Sequence, residues 1–139
     1  MSLFKVFEIA GSGMSAQSVR LNTTASNLAN AESVGSTEAD TYRARHPVFS
    51  AAMKGLYGGN DPSAVGVRVL GVIESQEPLE KRYEPEHPAA DEDGYVFLPN
   101  VKMVDEMTNM ISASRTYQNN VEVMNTSKQL LLVTLRLGQ

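Results

Sequence analysis

The chain has 139 residues, 12 basic against 16 acidic side chains, and no cysteine. That length suits one domain, and the lack of thiols excludes a disulfide framework and cysteine chemistry. The formal charge of −4 argues against nucleic acid as a partner.

From the N-terminus, Phe4, Phe7, Gly11, Met14, Ser18, Leu21, Ala25 and Leu28 recur in steps of three and four. This is the spacing of a coiled-coil seam. It predicts a helix of about 40 Å, ending near Ala31 before the turn-rich "ESVGSTEAD". Gly11 and Gly13 each cost an isolated helix roughly 0.5–1 kcal/mol. The opening residues also lack the unbroken apolar core of a cleavable secretion signal, so the expectation is a chain that is cytoplasmic or leaves by a route that needs no such signal.

The middle of the chain reads differently. "YGGNDPS" at 57–63 predicts a turn or loop. "AVGVRVLGVIES" at 64–75 and "GYVFLP" at 94–99 predict two strands. Between them "QEPLEKRYEPEHPAADED" predicts an extended, exposed excursion. Residues 31–100 carry six basic and twelve acidic side chains, while the two ends are nearly neutral. An acidic, solvated centre between buried ends is the implication.

Towards the C-terminus the helical spacing returns at Met103, Met107, Met110, Ser114, Tyr117, Val121, Met124, Lys128, Leu131 and Leu135. Asn100 is the expected N-cap, with Asp105 and Glu106 at the positive end of the dipole and Arg136 near the negative end. A helix of roughly 35 residues, some 50 Å, is predicted. The fold class is therefore mainly α: long terminal helices packing as a coiled-coil-like pair around a small β-rich, acidic insertion. The boundaries expected are 1–31, 32–99 and 100–139. The N-terminal helix is expected to match only part of the C-terminal one, leaving seam uncovered. Uncovered apolar stripes of that length point to oligomerisation or filament formation.

No reaction chemistry emerges. His46 and His87 have no partner ligands at metal spacing. "DEDGY" at 91–95 brings its glycine too early for a calcium loop, and reads as a turn into a strand. "AGSG" and "LYGGN" lack the Lys-Ser/Thr of a phosphate loop. Ser15, Ser26 and Ser114 have no base at motif spacing. The sequons at Asn22 and Asn125 fall on predicted helices. No enzyme, cofactor, metal site or small-molecule substrate is expected.

The helices are rich in amides: Asn22, Asn27 and Asn30 on the first, Asn109, Asn119, Asn120 and Asn125 on the second. An amide facing another helix donates and accepts at once. Two readings stay open: amides that bridge neighbouring helices, and amides that solubilise a surface.

Both ends resemble one family. Asn27, Leu28, Ala29, Asn30 and Ala31 resemble the N-terminal signature of the bacterial flagellar rod and hook proteins. Asn100, Val101, Glu106, Met107, Met110, Ile111, Arg115, Tyr117, Asn120, Val121 and the final Leu-Arg-Leu resemble their C-terminal signature. The family's Thr-Pro-Gly-Tyr turn is absent; Thr41 and Tyr42 are the candidates for a similar turn. "TYRARHPVF" at 41–49 and the short length resemble the short proximal-rod members.

The resemblance implies a structural subunit that passes through the flagellar type III export channel without a cleaved signal. It implies a place in the basal body, in a periplasm-spanning rod that transmits motor torque. The partners implied are copies of the chain, other rod subunits, and membrane-ring and export-gate proteins at the rod base. The residues assigned to the assembly interface are Phe4, Phe7, Met14, Leu21, Asn27, Leu28, Asn30, Met103, Met107, Met110, Ile111, Arg115, Tyr117, Asn120, Val121, Met124, Leu131 and Leu135. The competing reading is a non-polymerising cytoplasmic helical adaptor or export chaperone, which would use the same uncovered seams.

Overall fold

Small residues set the central contact. The computed structural model describes residues 3–52 and 65–137. Helix α1 runs Leu3–Ala29 and helix α2 runs Met103–Leu137. They pack antiparallel: Arg20 bonds Asn109 at 2.8 Å, a Cβ on Gly13 would meet the Asn120 amide, and one on Gly11 would meet Met124. Ala10 and Ala16 of α1 are buried, as is Ala113 of α2. Small residues at such a contact let the two helix backbones approach closely.

Strand β1, Arg45–Ala52, pairs antiparallel with β2, Gly66–Glu74. This hairpin lies along α1 on a different flank from α2, so α1 is packed between them. Ser12 ties the far end of the hairpin down: its hydroxyl oxygen accepts the Val67 N–H at 3.1 Å while its proton goes to the Ile9 carbonyl. A second pair, β3 (Glu80–Tyr83) with β4 (Tyr95–Leu98), stands apart as its own two-stranded sheet. Gly35 bridges to Phe97 of β4 and so fastens the post-α1 loop to it.

The two strands read from the sequence are β2 and β4. β1 and β3 fall where alternation is weak. β3 lies inside the stretch expected to be an extended excursion, and its four residues are all exposed although they pair with β4. The turn before β4 is as expected: Asp91 Oδ1 accepts from the N–H groups of Asp93 and Tyr95, and Gly94 takes φ 81°. A positive φ there suits glycine. The loop expected at 57–63 lies outside the described residues. The expected N-cap at Asn100 is corrected. Glu106 N–H bonds the Lys102 carbonyl, so the helix is entered at Lys102, and the Asn100 side chain is engaged elsewhere.

The interior is slight. Among the described residues the buried apolar side chains are Ala10, Ala16, Ala44, Val96 and Ala113, none larger than valine. Large apolar side chains lie outside on α2 and β2. Such surfaces mark an interaction partner rather than a finished monomer.

Candidate assembly interface

The site begins with what holds the subunit in shape. Asn27 is 1% exposed. Its Oδ1 accepts the Arg45 N–H and the Tyr42 hydroxyl, each at 2.9 Å, and its Nδ2 donates to the Arg45 carbonyl at 2.9 Å. Asn100 takes the adjacent residue: its Oδ1 accepts the Ala44 N–H at 2.7 Å, and its Nδ2 donates to the Glu77 carbonyl at 2.9 Å. The two signature asparagines thus clamp residues 44–45 from the end of α1 and the approach to α2. Asn27 and Ala44 are buried, and an orphaned buried polar group costs about 1–3 kcal/mol, so these partners matter.

This answers the question of the amides. Asn27 bridges a helix to a strand rather than two helices. Asn30 Nδ2 donates to the Ser26 carbonyl and finishes the helix. Asn109 is the amide that crosses between helices, to Arg20. Asn22, Asn119 and Asn125 are exposed. Both open readings therefore hold, for different residues.

The face of α2 turned to α1 differs from the expected seam. Met110, Met124 and Leu131 are half-buried, but between them the inward positions are Glu106, Ala113, Asn120 and Ser127. Apolar counting favoured Met103, Met107, Val121 and Leu135. Met103, Met107 and Leu135 are exposed, and Val121 is half-buried at the flank. The helices come closest at Gly13, where a Cβ would lie 3.0 Å from the Asn120 amide and little room is left opposite. On α1, Phe4 is 74% exposed, and Phe7, Met14, Leu21 and Leu28 are half-buried. Asn30 is half-buried.

The outer side of α2 carries Val104, Met107 and Ile111, spaced as one helical stripe, with exposed Arg115 and Tyr117 beyond. Its last turns expose Leu130, Val133 and Leu135. The uncovered seam expected from unequal lengths is thus found at the C-terminal end and along the outer face. Sequence reasoning passed over Val104 and the apolar residues Leu70, Val72 and Ile73 of the hairpin. The signal was there: "VLGVI" does not alternate, so both faces of that strand carry apolar groups.

Two further features complete the surface. Arg43 pairs with Glu38 at 2.8 Å and Arg45 with Glu74 at 3.2 Å, lining an open polar groove beside Asn30 and Tyr42. Exposed pairs of this kind are worth at most about 1 kcal/mol. Among the described residues no three His, Asp or Glu side chains gather as a metal site, and no helix is long and apolar enough to cross a membrane.

Helical ends joined through clamping asparagines, with apolar stripes left outside, define a protein built to be part of an assembly, and comparison gives the class. Residues 7–35 match the model of the flagella basal body rod protein family, and residues 92–137 match that of the flagellar basal body rod FlgEFG protein C-terminal region. Over its full length the chain is 52% identical to flagellar basal-body rod protein FlgC of Salmonella typhimurium, with 100% of each chain covered. The FlgC of Yersinia enterocolitica is 51% identical at the same coverage. That of Borreliella burgdorferi is 34% identical, with 100% of this chain and 99% of the relative covered. The chain belongs to the flagellar basal-body rod protein FlgC family. It is a structural subunit of the flagellar rod, not an enzyme, and the adaptor reading falls.

Proposed function

We propose that the chain builds the proximal part of the rod by packing with copies of itself and with other rod subunits into a helical tube. Residues 1–31 and 100–139 carry the assembly contacts, and residues 32–99 form the region between them. The rod spans the periplasm, meets membrane-ring and export-gate proteins at its base, and passes torque from motor to hook. The subunit reaches its place through the flagellar export channel without a cleaved signal.

The observation that carries this reading is the uncovered apolar face of α2, with Val104, Met107 and Ile111 outside while Glu106, Ala113 and Ser127 are buried on the inward face. A lone subunit gains nothing from that stripe. A neighbour covering it gains about 25 cal/mol for each Å² of apolar surface removed from water. Repeated head-to-tail contacts of unlike surfaces generate open helices where the rotation between copies does not close into a ring. The test is a strain lacking this protein, complemented with a tagged copy. Intact basal bodies are purified and imaged by electron microscopy at side-chain resolution. The tagged chain should lie at the membrane-proximal end of the rod with its terminal helices in the inner layers. Recovery only as a soluble cytoplasmic complex would overturn the reading.

A further inference from the structure

The geometry points to a specific contact between copies: the β1–β2 hairpin of one subunit, led by Leu70, seats on the Val104–Met107–Ile111 stripe of α2 in the next. This rests on the reading of the chain as a rod subunit and adds which surfaces meet. Pairing along the hairpin sets Val48 against Gly71 and Phe49 against Val69, leaving Leu70 as the extra residue of a bulge. A bulge re-aims the side chain it carries. Leu70 is 64% exposed, and Ile73, three residues further along β2, is also outside. A leucine thrust from a two-stranded hairpin is a knob without a hole among the described residues. Among the described residues α2 touches neither β1 nor β2, because α1 stands between them. The stripe and the knob therefore meet only between two molecules.

Charge selects the partner and its direction. Arg68, two residues from Leu70, is exposed and has no ion pair among the described residues. Asp105, next to Val104, is likewise exposed and unpaired, and so is Arg115 past the far end of the stripe. Asp105 and Arg115 are about 15 Å apart along the helix at 1.5 Å per residue. The attractive arrangement places Arg68 of the hairpin near Asp105 and away from Arg115. The occupant is thus a second copy of this chain, held in one orientation. Unlike surfaces meeting in this way make a head-to-tail contact that each copy can pass to the next.

The chain has no cysteine, so each introduced thiol is unique. Leu70→Cys and Ile111→Cys copies with different tags are co-expressed in a strain lacking the protein, and purified basal bodies are treated with a short bis-maleimide. The expected product is a linked dimer carrying both tags. Leu70→Cys linked only to itself, or both variants present in basal bodies without linkage, would overturn the contact. In parallel, Arg68→Glu and Asp105→Arg should each sharply reduce swimming, and the two together should restore it several-fold over either alone. A double variant no better than the worse single one also overturns it. A wild-type tagged copy missing from basal bodies would sink the rod reading itself, whereas presence without linkage or rescue sinks only this contact.

Discussion

Asn27 holds both backbone polar groups of Arg45, accepting its N–H and donating to its carbonyl, each at 2.9 Å. The amide acts as a short piece of strand offered by a helix. Asn27→Asp keeps the acceptor but turns a second oxygen towards the Arg45 carbonyl. Asn27→Leu removes both partners at once. Each should lower subunit stability by about 1–3 kcal/mol, the cost of a buried polar group left unpaired. A urea midpoint shift together with faster amide exchange at Arg45 is the measurement. An unshifted midpoint in both variants would mean that water replaces the asparagine at no cost.

Gly35 gives a second test in the same region. Its N–H and carbonyl each bond Phe97 at 3.0 Å. A Cβ there would overlap the Thr41 hydroxyl and lie 3.0 Å from the Thr41 Cα. Thr41 cannot step aside easily, because its hydroxyl donates to the Thr37 carbonyl at 2.7 Å. Gly35→Ala should therefore cost about 1–3 kcal/mol as overpacking and loosen the loop from β4. Gly71→Ala meets nothing within 4 Å, and its stability should stay within about 0.5 kcal/mol. Equal melting temperatures for the two variants would refute the clash.

Helix lengths, the Val-rich strand, the turn at Asp91 and the outward position of much of the apolar surface were legible, because each depends on local spacing or composition. The inward register of α2 was not. It depends on how near α1 comes, and the closest approach is at Gly13 on the other helix. A count of apolar residues along α2 cannot sense it, so Met103 and Met107 looked inward while Ala113 and Ser127 did not. The role of Asn27 was hidden for a similar reason. Its partners, Tyr42 and Arg45, belong to a segment with no periodic signal, brought back by the turn after α1.

The two helix glycines separate propensity from packing. A Cβ on Gly11 would lie 3.9 Å from Met124, an ordinary contact. Gly11→Ala should raise stability by about 0.5–1 kcal/mol through helix propensity alone. On Gly13 the Cβ would lie 3.0 Å from the Asn120 Nδ2. Gly13→Ala gains the same propensity but pushes on the half-buried amide opposite. Its thermal midpoint should fall clearly below that of Gly11→Ala. Identical midpoints would show that Asn120 turns away freely and that the helix pair is not held at that distance.

Ala113 and Val104 lie on opposite sides of α2 and should fail in different ways. Ala113 is 0% exposed, enclosed between the helices. Ala113→Leu adds three carbons to that gap, so the helices must part or the side chain must take a strained rotamer. The expected loss is about 1–3 kcal/mol of subunit stability, visible in the isolated chain by thermal unfolding. Val104 is 75% exposed, and Val104→Ser should leave that unfolding curve within about 0.5 kcal/mol. Its effect belongs to the assembled state, where a hydroxyl would replace methyl groups at a contact repeated by every copy. Fewer rods per cell and weaker swimming, with a normal melting curve for the free subunit, are the expected result. The pair of measurements separates folding from assembly. A Val104→Ser chain that melts early would place Val104 in the subunit's own packing. One that melts normally and builds normal rods would remove the outer face of α2 from the interface.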